Sequence, residues 1–187
     1  MKKDSNIIVY DNVFSHSLRT KLYEKVINSD YHIGWADTKI IENSDKVFMY
    51  SEWDAEKYIK SGLLSGIESK ELLSKIDNRL PVKCIVNCGT FGDVYIPHSH
   101  YNQDVLLYYA NLDWKVEWNG ETAFYSEDIK EVILTNPYVP GRVVWFNGEV
   151  PHSIKPQTHT GPKFRFTISL FFDKDAPKMM FGGMKVE

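Results

Sequence analysis

Cysteine is scarce in this chain, long apolar runs are missing, and neither sign of charge is in clear excess; each shortage closes off a class of protein. Only two cysteines, Cys84 and Cys88, occur in 187 residues. They lie four apart in a segment that reads as a strand, which would hold them roughly 13 Å from one another, beyond the reach of a disulfide. Both are expected to be buried thiols without a redox or metal role. No apolar stretch approaches the roughly 18 residues that a membrane helix needs. The opening Met1-Lys2-Lys3-Asp4-Ser5-Asn6 also lacks the apolar segment of a secretory signal. A soluble, cytoplasmic protein is therefore expected, with no membrane partner. Lys and Arg total 22 against 25 Asp and Glu, a net charge of −3, so nothing draws the chain as a whole towards nucleic acid. There is no internal repeat and no low-complexity tract, and oligomeric state leaves no trace in the sequence.

What is present is enough apolar surface for one ordinary core, with 43% hydrophobic side chains, and one domain over residues 1–187 is expected. Its first part, 1–80, reads as a helical support region. Ile7-Ile8-Val9-Tyr10 suggests a short strand, after which Ser15 or Ser17 can cap a helix carrying Leu18, Leu22 and Val26 at helical spacing and running to about Asn28. From Tyr31 to Trp53 the pattern is broken by Gly34 and the Asn43-Ser44-Asp45 cluster and predicts only loops with short extended pieces. Leu63, Leu64, Ile67, Leu72, Leu73 and Ile76 give a second helical pattern that stops before Pro81.

From 81 to 173 the texture becomes β-branched and aromatic, punctuated by Gly, Pro and Asn at short intervals, which predicts a β-barrel or sandwich. The candidate strands are Val82 to Cys88, Val94 to His100, Val105 to Asn111, Thr122 to Tyr125, Glu131 to Leu134, Arg142 to Phe146 and Phe164 to Phe172. Residues 174–187 form a tail, expected to be loose or packed only locally.

Two features in the β-rich part could carry chemistry. His98 and His100 stand two apart, which on a strand places both on one face, and His152 could complete a metal site from a distant strand. Surface or hydrogen-bonded core histidines would give the same spacing. In the last strand Lys163, Arg165, Thr167 and Ser169 alternate with Phe164, Phe166, Ile168 and Leu170. An arginine and a hydroxyl two apart on one face can receive a carboxylate, the guanidinium giving a planar pair of hydrogen bonds and the hydroxyl a third; an ordinary solvated strand face would look the same.

Taken in order, Tyr95-Ile-Pro-His98-Ser-His100, Leu107-Tyr108-Tyr109-Ala-Asn111-Leu-Asp-Trp114, Trp118-Asn-Gly120-Glu121-Thr122-Ala-Phe124, Pro140-Gly141-Arg142-Val-Val-Trp-Phe146, Pro151-His152-Ser153 and Arg165-Phe-Thr167 resemble the 2-oxoglutarate and Fe(II)-dependent oxygenases of the prolyl-hydroxylase branch. The resemblance runs over roughly residues 82 to 172. It implies a mainly β fold, a double-stranded β-helix or jelly-roll barrel supported by N-terminal α-helices. It also implies Fe(II), 2-oxoglutarate, O2 and accessory ascorbate, with hydroxylation of a peptide or amino-acid substrate at a prolyl or other side chain. By position, His98 and His152 take the metal-ligand roles, Arg165 and Thr167 hold the far carboxylate of 2-oxoglutarate, and Tyr109 and Tyr95 are pocket tyrosines. The departure is in the middle: His100 stands where the family has an aspartate. Either His100 is the third ligand, or Asp104 swings back to supply a carboxylate, or two protein ligands and water suffice. A binding protein that kept metal and dicarboxylate but lost catalysis is the alternative from another class.

Overall fold

In the computed structural model the chain is described over residues 6–35, 48–93 and 95–176. Strand β1 (Ile7–Tyr10) leads into helix α1 (His16–Ile27), which begins at Ser15, whose hydroxyl accepts from the Leu18 N–H. Strands β2 (His32–Trp35) and β3 (Phe48–Glu52) are short extended pieces in the stretch from Tyr31 to Trp53, as its pattern predicts; residues 36–47 between them lie outside the described residues. A short helix, α2 (Ala55–Ser61), precedes the helical pattern expected from Leu63 to Ile76, and of that pattern only the second half is helix, α3 (Lys70–Ile76). Gly62 at φ 80° ends the first by entering the left-handed region, and Ser69 caps the second. Leu63 and Ile67 are buried in the link, so their apolar character reports packing and not helix. No helix among the described residues is long and apolar enough to cross a membrane.

The β-rich part contains β4 (Lys83–Gly89), β5 (Gln103–Tyr109), β6 (Thr122–Tyr125), β7 (Val132–Asn136), β8 (Val143–Asn147), β9 (His152–Ile154) and β10 (Arg165–Asp173). Pairing gives a seven-stranded antiparallel sheet in the order β1-β8-β5-β10-β4-β3-β2 and a three-stranded one in the order β7-β6-β9. After β4 the chain passes between the two sheets, with β5, β8 and β10 in the large one and β6, β7 and β9 in the small one. This is the jelly-roll topology of a double-stranded β-helix.

One expected strand is not there. Of Val94 to His100, Val94 is outside the described residues, and the rest forms a single bridge, His98 against His152. Pro97 has no N–H to give to a ladder, so pairing is limited to the two hydrogen bonds His98 and His152 exchange through their backbones, at 3.0 and 2.9 Å. Strand β9 was missed for the opposite reason: three residues are too few to show a period.

The central strands of the large sheet, β5, β10 and β4, are buried on both faces. One face meets the helices through Leu22, Val26, Leu72 and Ile76, packed on Cys84, Val86, Leu106, Trp145, Ile168, Leu170 and Phe172. The other meets the small sheet, with Ile85, Val105, Leu107, Val144, Phe146 and Phe171 against Phe124. A strand covered on both sides has no need to alternate apolar with polar residues, and β10 is buried from Arg165 to Phe172. Cys84 and Cys88 are free, buried thiols on the helix side of β4; burial, with a smaller push from Asp93, raises Cys88 to about 12. The tail beyond Ala176 lies outside the described residues.

Candidate metal and carboxylate site

The His98 bridge brings distant parts of the chain together. It sets His98 opposite His152, while the His100 N–H bonds to the Gly148 carbonyl at 2.7 Å. A Cβ at Gly148 would stand 2.9 Å from the His100 carbonyl oxygen and 2.8 Å from that of Gln103, so this close approach requires glycine. The three imidazoles converge: one ligand atom from each of His98, His100 and His152 lies within 4.8 Å of the others, and the ring centroids are 4.6 to 5.2 Å apart.

Their orientation suits a cation. Nδ1 of His98 lies 3.1 Å from the Ile96 carbonyl and Nδ1 of His152 lies 2.8 Å from that of Val150. A carbonyl only accepts, so Nδ1 carries the proton in both rings and Nε2 keeps the lone pair, the arrangement that backbone carbonyls impose on metal-binding histidines. The His100 ring stands edge-on to Phe171 at 4.8 Å. Burial holds His152 well below the usual imidazole range, helped by its two neighbours. Burial, then His98 and Lys83, lowers His100 to about 3. Neutral imidazole is the form that binds a metal. Three imidazole nitrogens suit iron, nickel, copper or zinc better than magnesium or calcium.

Asp104 is not part of the cluster. It shares a face of β5 with Leu106 and Tyr108, which belong to the helix-side core, whereas Val105 and Leu107 face the cavity. Its carboxylate instead pairs with Arg79 at 2.9 Å, an arginine packed over Trp145 and Phe172. Period two along the strand points this side chain away from the histidines.

The polar row of β10 is buried, not solvated as an ordinary strand face would be. Arg165 is 1% exposed and Thr167 0%. Arg165 Nε donates to the Gly120 carbonyl at 2.8 Å, and its guanidinium sits 4.8 Å from the ring centre of Tyr138 and 5.5 Å from that of Tyr109. Gly120, at φ 84°, leaves room for this: a Cβ there would meet Trp114 at 2.9 Å and the Arg165 side chain at 3.4 Å. Arg165 Nη2 and Thr167 Oγ1 are both buried without a hydrogen-bond partner. Buried polar groups are rarely left so; no carboxylate of the described residues pairs with Arg165, and neither Arg165 nor Thr167 is among the residues that line the cavity beside the histidines. The same face continues through Ser169 to Phe171, and both line a cavity of about 50 Å³ together with all three histidines.

Tyr95 also lines that cavity; its ring stacks on Phe48 at 4.4 Å and its hydroxyl donates to Asp93. Tyr109 is fully buried under the guanidinium. Its hydroxyl donates to Thr122 Oγ1 and accepts from Asn136 Nδ2, both at 2.8 Å, and Asn136 in turn accepts from Arg142, which pairs with Asp11 through two hydrogen bonds. Sequence reasoning missed Asn87 and Thr122, which line the cavity, and Tyr138, which stacks on Tyr109 beneath Arg165. Ser169 had been noticed only as one more polar position. Nothing in an isolated Asn or Tyr marks it as a cavity residue. Trp145 lies in the helix-side core, so it does not line this pocket.

No family model matches the chain, and no curated protein matches it by sequence. Solved structures do match by shape. A prolyl hydroxylase from Trichoplax adhaerens, in complex with a peptide fragment of the hypoxia inducible factor oxygen degradation domain, superposes with a TM-score of 0.65 at 18% identity, over 90% of this chain and 84% of that one. A prolyl-4-hydroxylase from Pseudomonas putida gives 0.65 at 13% identity, over 90% and 92%. HygX from Streptomyces hygroscopicus, with nickel and 2-oxoglutarate bound, gives 0.62 at 9%, over 91% and 83%. The chain therefore has the jelly-roll fold of the prolyl hydroxylases and other 2-oxoglutarate oxygenases.

Proposed function

We propose that this protein is a 2-oxoglutarate-dependent dioxygenase that uses Fe(II) and O2 to hydroxylate a C–H bond of a prolyl or other amino-acid side chain. The observation that carries the reading is a pair of features: three converging imidazoles and, on the face of β10 that continues into their cavity through Ser169 and Phe171, two buried groups, Arg165 Nη2 and Thr167 Oγ1, without a hydrogen-bond partner. The fold shared with oxygenases supports it, and the peptide held by the Trichoplax enzyme supports an amino-acid side chain as the target.

His98, His100 and His152 would hold the ion through neutral imidazole nitrogens. Arg165 and Thr167 hold the distal carboxylate of 2-oxoglutarate, Arg165 being aligned by its bond to Gly120 and by the rings of Tyr109 and Tyr138. Bound together, metal and cosubstrate supply the oxidising power, with decarboxylation of 2-oxoglutarate to succinate. Phe48, Tyr95, Phe146 and Phe171 wall the cavity and keep water from the reacting centre. The Asp11–Arg142–Asn136 chain holds the Tyr109 hydroxyl in place. Succinate formation and O2 consumption with Fe(II) and 2-oxoglutarate are the test: turnover that disappears in His152→Ala is expected, while the absence of both turnover and 2-oxoglutarate binding would refute the proposal.

The triad itself favours a second reading. With three imidazoles and no carboxylate, the site gives the metal one negative charge fewer than the family pattern does. The protein would then bind metal and a dicarboxylate without consuming oxygen. Binding of both with no succinate produced, and turnover gained in His100→Asp, would select this reading over the first.

A further inference from the structure

We infer that Asn136, with Arg142 and Asp11 behind it, is a positioning residue that sets the direction of the Tyr109 hydroxyl, so that the hold of the cavity on an anion is tuned from an ion pair at the surface. The inference rests on the reading of the cavity as a 2-oxoglutarate site and says what controls its affinity.

The direction follows from which groups can only donate. Arg142 is fixed by two bonds to Asp11, from Nε at 2.7 Å and Nη2 at 2.9 Å, and the Asp11 side chain is half exposed. A guanidinium has no acceptor, so the Asn136 amide turns its Oδ1 to Arg142 Nη1, at 3.3 Å. That leaves Nδ2, which only donates, to face the Tyr109 hydroxyl at 2.8 Å. With its oxygen engaged as acceptor, Tyr109 gives its one proton to Thr122 Oγ1 at 2.8 Å; the Asn136 carbonyl, the alternative acceptor, is farther at 3.5 Å. Thr122 has then accepted a bond and keeps its own O–H to donate. Thr122 lines the cavity beside the histidines and Tyr109 does not. The proton that the resemblance assigns to the ligand from Tyr109 is therefore engaged one step short of the cavity, and Thr122 is the group that meets what enters. Every donor from Arg142 onward points the same way. Asn136 is 3% exposed, and Tyr109 and Thr122 are 0% exposed, so water does not compete, and bonds polarised in series at low dielectric strengthen one another. A chain that ends in a proton suits an anion.

Reversing the chain is the test. In Asn136→Asp both side-chain oxygens accept, so Arg142 keeps its partner while Tyr109 donates to the new carboxylate. Thr122 then donates to Tyr109, and the cavity is left with a lone pair. The number of hydrogen bonds is unchanged and only their direction differs. Binding of 2-oxoglutarate to the Ni(II)-loaded protein, measured by calorimetry, is expected to weaken on the order of 30-fold, the scale of a hydrogen bond to a charged group, while the melting temperature of the ligand-free protein stays close to that of the wild type. In a Tyr109→Phe background, where the chain is cut, the same substitution should weaken binding by about 3-fold or less. Asp11→Ala, at a half-exposed position, decides the matter if the buried variant does not fold: binding about 3-fold weaker is expected in the wild-type chain and no change in Tyr109→Phe. A carboxylate acting through space, or a residue held only for structure, would weaken binding equally in both backgrounds. That result, or unchanged affinity in the wild-type background, would overturn the inference and leave the dicarboxylate pocket standing. If 2-oxoglutarate does not bind the Ni(II)-loaded wild-type chain at all, the inference and the oxygenase reading fall together.

Discussion

On the helix side of the large sheet, Leu106, Ile168, Leu170 and Phe172 pack against α1 and α3 with no polar atom to place, while the same strands on the barrel side present Arg165, Thr167, Ser169 and the wall beside the histidines. The two faces alternate residue by residue along β10, yet they obey different rules. Apart from the Asp104–Arg79 pair, the helix-side face is filled by apolar side chains and gains its stability from area removed from water. The barrel-side face keeps two polar groups without partners, Arg165 Nη2 and Thr167 Oγ1, and each costs stability in the ligand-free protein. Substituting the two faces should therefore give opposite signs for folding and for binding.

The largest effect is expected from Phe172→Ala, which empties a fully buried position on the helix side. It should cost about 3–5 kcal/mol in chemical denaturation while leaving Ni(II) affinity of the folded protein unchanged. Acid should probe the other face. His100 and His152 are held below the usual imidazole range in the metal-free fold, so the unfolded chain binds their protons first. Their contribution is complete above about pH 6.5, the unfolded value, and is lost as pH falls below it, for His100 towards about 3. The slope is up to about 1.4 kcal/mol per pH unit for each imidazole. Urea midpoints at pH 7 and 5.5 would show it, and Ni(II) should protect most at the higher pH.

Arg165→Met tests the sign reversal directly. It should weaken 2-oxoglutarate binding by about 2 kcal/mol, the scale of a charge-assisted hydrogen bond, and yet leave the melting temperature of the ligand-free protein the same or higher, since a buried charge without an anion is removed. A large drop in melting temperature would mean that Arg165 is held for structure. The smallest effect belongs to Thr167→Val, near-isosteric at a fully buried position. About 1 kcal/mol of 2-oxoglutarate affinity should go, with ligand-free stability equal or improved by titration and thermal melts.

Much of this architecture was legible beforehand. The change of texture at Pro81, the N-terminal helix from Ser15 and most of the β-rich strands follow from periodicity and turn residues, since those signals are local. The failures were local as well. Leu63 and Ile67 looked helical because a buried link has the same composition as a buried helix face. His98 and His100 were read as neighbours on a strand, whereas a single bridge and the glycine at 148 position them. The solvated-face alternative for β10 fails because a second sheet covers that face, and covering is a property of the partner, not of the strand.

By itself the sequence determined which residue types could do chemistry and their order along the chain: three histidines, then an arginine and a threonine two apart. Only the tertiary structure decided that the imidazoles share one point, that Asp104 faces away from them, and that Arg165 and Thr167 lie buried without acceptors. The physical reason is that pattern fixes the face on which a side chain emerges, while the pairing of β9 with β6 and of β10 with both β4 and β5 fixes what that face meets.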